Sequence, residues 1–153
     1  MNRRLFLAAS TAFAGLAAMP AFSKTFEVTR TAAEWKAMLS STEYKVMRKS
    51  GTERAFSSPL DKNTAAGTYH CRGCDLPLYS SKHKFDSGTG WPSFYKALGN
   101  AIGTKPDRTL LGTYTESHCR RCGSHLGHIF DDGPKPTGKR HCINGVSLVF
   151  KAA

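Results

Sequence analysis

Two Cys-x-x-Cys pairs, Cys71/Cys74 and Cys119/Cys122, stand 44 residues apart and constrain this chain more than any other feature. A two-residue gap lets the backbone turn so that both sulfurs face one point. Two such knuckles supply four thiolates, the donor set of a tetrahedral Zn²⁺. Gly73 and Gly123 sit in the knuckles, where tight turns suit glycine. A closed four-sulfur site is structural and holds a long loop around one ion. The alternative is a pair of disulfides, which an oxidising compartment would favour.

The residues before the first knuckle divide into a leader and a helical segment. Arg3 and Arg4 precede an uncharged Ala- and Leu-rich stretch, Leu5 to Met19, which is short for a bilayer span. Arg3-Arg4-Leu5-Phe6-Leu7 resembles a twin-arginine export signal. Ala21-Phe22-Ser23 places small residues at both specificity positions of a signal-peptidase site. The expectation is a signal peptide over residues 1–23, an exported, periplasmic destination, and no stable membrane insertion after cleavage. A Sec-type signal or an uncleaved anchor is the alternative. A twin-arginine substrate folds before transport, so zinc could be loaded in the reducing cytoplasm.

The remaining residues, 24–153, form one domain's length of chain. Thr31 and Glu34 read as a capping box ahead of the apolar Trp35, Met38 and Leu39. A second helix is expected from Ser41, stopping at Gly51. From about Phe56 onward, Gly, Pro, Asp and Ser punctuate short apolar runs. Strands are expected over 67–71, 109–116 and 145–150. Hydrophobic residues make up 40% of the sequence, enough for a modest core. The reading is a mainly β fold with small N-terminal helices. Lys and Arg number 22 against 11 Asp and Glu, giving +11; losing Arg3 and Arg4 with the leader leaves +9. The cations are scattered, which describes a solvated surface rather than a nucleic-acid stripe.

Cys142 is the odd cysteine, in Gly138-Lys139-Arg140-His141-Cys142-Ile143-Asn144-Gly145. Arg140 and His141 are expected to bring positive charge or donors to the sulfur, and thiolate is the nucleophilic form. A buried structural thiol is the plain alternative.

Five strings in order resemble the methionine sulfoxide reductase B family over about residues 32 to 151. They are Gly51-Thr52-Glu53-Arg54-Ala55-Phe56, the first knuckle, Phe85 to Phe94 (FDSGTGWPSF), the second knuckle followed by His125-Leu126-Gly127-His128-Ile129-Phe130, and Arg140 to Asn144. The resemblance implies two antiparallel β-sheets with peripheral helices and one structural Zn²⁺ per chain on Cys71, Cys74, Cys119 and Cys122. It implies reduction of the R epimer of methionine sulfoxide in proteins or peptides. The family's nucleophile falls on Cys142, its tryptophan on Trp91, its histidines on His125 and His128, its asparagine on Asn144 and its arginine on Arg140. Either histidine could deliver a proton to the sulfoxide oxygen, and Trp91 offers an apolar face to the S-methyl group. Many members carry a resolving cysteine where this chain has Thr89. That departure implies a one-cysteine cycle through a sulfenic acid, closed by a thioredoxin-like or other thiol reductant. Two other classes stay open on the residues alone: a zinc-ribbon binding module, and a thiol–disulfide oxidoreductase built on one Cys-x-x-Cys pair.

Overall fold

The computed structural model describes residues 25–109 and 112–153, and the expected signal peptide lies outside the described residues. Helix α1 (Ala32–Met38) starts as its capping box requires. The Thr31 hydroxyl accepts from the Glu34 amide, and the Glu34 carboxylate accepts from the Thr31 amide at 2.7 Å. Helix α2 (Ser41–Lys49) begins at Ser41 as expected and uses the same device, with Ser40 as cap and Glu43 reaching back. Its stop differs from the expected one at Gly51. Ser50 takes the left-handed conformation (φ 51°), and both it and Gly51 donate to the Lys45 carbonyl. Trp35 and Leu39 are buried, whereas Met38 points to solvent. Arg48 of α2 lies 4.5 Å over the Trp35 ring and donates to the Cys122 carbonyl at 3.1 Å. The helices therefore seat on the second knuckle.

The rest is β structure in two antiparallel sheets. The smaller has the order β2-β1-β9, from β1 (Gly67–Cys71), β2 (Pro77–Ser80) and β9 (Leu148–Ala152). The larger has the order β3-β4-β8-β7-β6-β5, from β3 (Lys84–Phe85), β4 (Ser93–Phe94), β5 (Ile102–Thr109), β6 (Gly112–Cys119), β7 (His125–Phe130) and β8 (Arg140–Ile143). Tyr69 and Tyr79 of the small sheet close on Phe94 of the large one, at centroid distances of 5.0 and 4.4 Å. Leu78, Leu126, Ile143 and Leu148 complete this core. Aromatic pairs of that kind add about 0.5–1.5 kcal/mol each beyond the area they bury.

Strand β1 falls where expected, but two other strands do not. The expected strand 109–116 straddles two: Thr109 ends β5 and Gly112 opens β6, and the two pair residue for residue from Thr109↔Gly112 to Ile102↔Cys119. Strand β5 has no continuous apolar face because most of it is exposed or half-buried. The segment 145–150 is split. Gly145–Ser147 form a 3₁₀ turn before β9 begins at Leu148. The cause is Glu53, whose buried carboxylate accepts from the amides of Gly145 and Val146 and so removes them from any ladder.

Candidate active site and metal centre

Cys142 lies in the middle of β8, between Ser93 of β4 and His128 of β7 in register. Two features let the strands come together here. A Cβ on Gly127 would lie 2.0 Å from the Cys142 carbonyl oxygen, so only glycine permits that approach. The ladder also slips between Ser117 and His118, leaving Leu126 without a partner. Three residues apart on a regular strand, His125 and His128 would face opposite sides. The bulge turns them to one side, with ring centroids 5.5 Å apart.

The half-buried Cys142 opens into a pocket of about 140 Å³ lined by Thr52, Trp91, Gly127, His128, Phe130 and Asn144. Trp91 and Phe130 make its apolar walls. The Trp91 indole N–H donates to the Glu53 carbonyl at 3.2 Å. The Asn144 side chain is fully engaged in the frame: its oxygen accepts from the Glu53 amide at 2.9 Å, and its nitrogen donates to the Leu126 carbonyl at 2.9 Å. Asn144 thus positions the pocket wall. His128 holds Asp107 of β5 through Nε2 at 2.8 Å. His125 is buried deeper, outside the pocket lining, with Nδ1 3.0 Å from Glu116, which Lys105 also meets at 3.0 Å. Burial holds the His125 pKa below the usual histidine range, against the pull of Glu116.

The charge expected around the sulfur is only half present. Arg140 grips Asp132 with two bonds of 2.9 and 2.8 Å and stacks 4.4 Å over Phe130. It does not line the pocket, but its charge reaches Cys142. His141 contributes none. As the next residue on the strand it faces the other way. There it is buried against Tyr79, whose hydroxyl meets Nδ1 at 3.3 Å, and burial lowers its pKa to about 4. The expectation that these neighbours favour thiolate is corrected accordingly. Burial pushes the Cys142 pKa up, and Thr89 and Arg140 oppose it only in part.

All five cysteines are free of disulfides. The four knuckle sulfurs lie within 4.8 Å of one another, with Cys71–Cys122 at 3.6 Å and Cys74–Cys119 at 3.5 Å. Tetrahedral Zn–S bonds place sulfurs about 3.8 Å apart, so the cluster fits a four-sulfur metal centre. Without a cation the four cannot all ionise. Hydrogen bonds among them raise the Cys71 and Cys119 pKa values and lower those of Cys74 and Cys122. Cys71 ends a strand of the small sheet and Cys119 ends one of the large sheet, so a bound ion would staple the two together. Gly123 turns the second knuckle at φ 68°; at Gly73 the need is space, since a Cβ would press on Ser124, Met47 and Trp35.

A family model described as the SelR domain matches residues 39–152. A peptide methionine sulfoxide reductase MsrB of Thiobacillus denitrificans is 52% identical over 79% of this chain and 92% of its own length. A Methanosarcina barkeri protein of the same name is 50% identical, over 81% of this chain and 88% of its own. The chloroplastic peptide methionine sulfoxide reductase B1 of rice is 46% identical over 82% of this chain and 59% of its own. This chain belongs to the methionine sulfoxide reductase B family. The family match contains both knuckles and every pocket residue, and begins at the last residue capping α1. Within this member of the reductase B family, sequence reasoning missed the supports of the site. Glu53, in the first of the five strings that resemble the family, carries Asn144, Trp91 and the turn after β8 at once. Asp107, Glu116 and Asp132 bind His128, His125 and Arg140 from segments that only sheet pairing brings near.

Proposed function

We propose that this chain reduces the R epimer of methionine sulfoxide in proteins or peptides, with Cys142 as nucleophile. The observation carrying the reading is the Cys142 sulfur opening into an apolar pocket with one histidine, His128, on its wall. The pocket suits a thioether-sized side chain, with the S-methyl group against Trp91 and Phe130. The Cys142 sulfur attacks the sulfoxide sulfur, and the sulfoxide oxygen takes up protons and leaves as water; water then adds to the Cys142 sulfur as its bond to the substrate sulfur breaks, and the proton taken up is returned. The balance is thiol plus sulfoxide giving sulfenic acid plus thioether. His128 is the proton donor in this reading, oriented by Asp107. His125 supports it from behind, and Asn144 and Arg140 hold the wall and the charge beside the sulfur. Two external thiols, from a thioredoxin-like or other reductant, then return the sulfenic acid to thiol, releasing water and a disulfide. The epimer rests on the family resemblance, in which each reductase type takes one epimer.

Cys71, Cys74, Cys119 and Cys122 would hold one Zn²⁺, whose chemistry is structural because four sulfurs leave no open position. The leader read over residues 1–23 would send the enzyme out of the cytoplasm. Among the described residues no helix is long and apolar enough to cross a membrane. A single turnover without reductant tests the mechanism. A dimedone-type reagent should trap a sulfenic acid on Cys142, and Cys142→Ser should abolish both adduct and product. Product formation by Cys142→Ser would overturn the assignment.

A further inference from the structure

Three hydroxyls form a chain that ends on the Cys142 sulfur. Thr89 Oγ1 lies 3.9 Å from Sγ, Ser87 Oγ lies 2.8 Å from Thr89 Oγ1, and Ser93 Oγ lies 2.7 Å from Ser87 Oγ. Ser93 also reaches the Trp91 carbonyl at 3.1 Å. A hydroxyl has one proton to give, and that fixes the direction of the chain. The carbonyl can only accept, so Ser93 spends its proton there. Ser87 must then donate to Ser93, and Thr89 to Ser87. Thr89 is left as an acceptor, so the thiol of Cys142 donates to it. Every bond is made at once only with this polarity, which runs away from the sulfur. The Thr89 amide donates to Ser87 at 3.4 Å and holds the corner. Ser93 is buried, so its hydroxyl has no ready exchange with water.

We infer that Thr89, Ser87 and Ser93 form a reversible hydroxyl relay: it favours the protonated thiol at rest, and turns to donate to the sulfur when Cys142 ionises. This rests on Cys142 as the nucleophile. Reversal moves no proton off the chain. Each hydroxyl rotates toward the sulfur, and the Trp91 carbonyl gives up its bond from Ser93. Thr89 then faces the thiolate as a donor. Ser87 and Ser93 are positioning residues acting through Thr89. Position 89 thus carries a group that biases the charge on the Cys142 sulfur.

Arg140 and Asp132 also act on Cys142, Arg140 favouring the thiolate and Asp132 opposing it, and neither changes when Thr89 or Ser87 is replaced. Arg140 of β8 is held by Asp132, His128 of β7 by Asp107 of β5, and Asp86 of the preceding loop by Lys62. Strand β4 contributes only the neutral Ser93.

The test is the pH profile of iodoacetamide alkylation at Cys142, followed by peptide mass spectrometry on the full-length protein with its metal retained. It needs no sulfoxide substrate, so its outcome is separate from that of the proposed activity. Thr89→Val removes the hydroxyl donor to the thiolate and leaves Arg140 in place, and its alkylation rate at neutral pH should fall by about threefold to tenfold. Thr89→Ser should keep the wild-type profile. Ser87→Ala removes the acceptor that draws Thr89 away, freeing Thr89 to donate to the sulfur. Its rate should rise rather than fall. A packing role alone would move Thr89→Val and Ser87→Ala in the same direction, or neither. Either of those results, or a Thr89→Ser profile matching that of Thr89→Val, would overturn the relay.

Discussion

Lowering the pH should destabilise this protein through His141, by an amount the structure sets. The ring is 8% exposed, edge-on to Tyr79 at 5.7 Å, and its pKa is lowered from 6.5 to about 4. The folded-state pKa lies below the unfolded one. The stabilisation is therefore complete above pH 6.5 and is lost as pH falls toward 4, because the unfolded chain takes up a proton that the folded one refuses. At 1.36 kcal/mol per unit, the loss by pH 4 is about 3 kcal/mol, a large share of the 5–15 kcal/mol typical of a domain. His141→Phe keeps an aromatic ring but removes the bond to the Tyr79 hydroxyl, costing about 1 kcal/mol at pH 7. The stability curves of wild type and variant should therefore cross near about pH 6, with the variant the more stable by about 2 kcal/mol at pH 4. Urea denaturation at a series of pH values, taken as the difference between the two proteins, cancels losses they share, such as thiolate protonation. Parallel curves from pH 7 to pH 4 would show that His141 is not the buried neutral ring described.

Other consequences can be checked in turn. Cys119→Ser, or stripping with a chelator, should unfold the protein, since structural zinc contributes on the order of 10 kcal/mol to domains of this kind; a zinc assay with circular dichroism reads this, and an unchanged denaturation midpoint would count against the staple. His128→Ala should slow steady-state turnover on the order of 10²-fold if its ring delivers the proton. His125→Ala should cost less, and the reverse order would exchange their roles. Thr89→Cys should create a disulfide with Cys142, because the Thr89 hydroxyl already lies 3.9 Å from that sulfur; thiol counting after one turnover checks it, and an unbridged double thiol would refute the placement. Mass spectrometry of protein from its native cell should find Lys24 at the N-terminus, and an intact Met1 would refute the export reading.

What the sequence revealed, and what it hid, follows from how far each interaction reaches along the chain. The knuckles were legible because two cysteines with two residues between them have few uses, and the odd Cys142 stood out by subtraction. The capping box at Thr31 and strand β1 are local and were readable for that reason. Asp107, Glu116 and Asp132 were not, because strand register and the turn before β8 bring them to the histidines and to Arg140. The shared face of His125 and His128 was hidden more deeply, since period-two alternation separates them and a bulge opposite Ser117 and His118 reunites them. His141 misled for a related reason: one step along a strand reverses the side, so the residue beside the nucleophile in sequence faces the core in space. Strand β5 escaped notice because an exposed ribbon needs no apolar pattern.

In the function proposed above, Cys142 reduces one epimer of methionine sulfoxide in the pocket between Trp91 and His128. An epimer-resolved assay on a peptide carrying both sulfoxides, with dithiothreitol as the external thiol, tests it directly. The R epimer should be consumed and the S epimer left, and Cys142→Ser, still folded and metal-bound, should consume neither. Consumption of the S epimer at a comparable rate would refute the epimer assignment, and substantial R-epimer turnover by Cys142→Ser would refute Cys142 as the nucleophile.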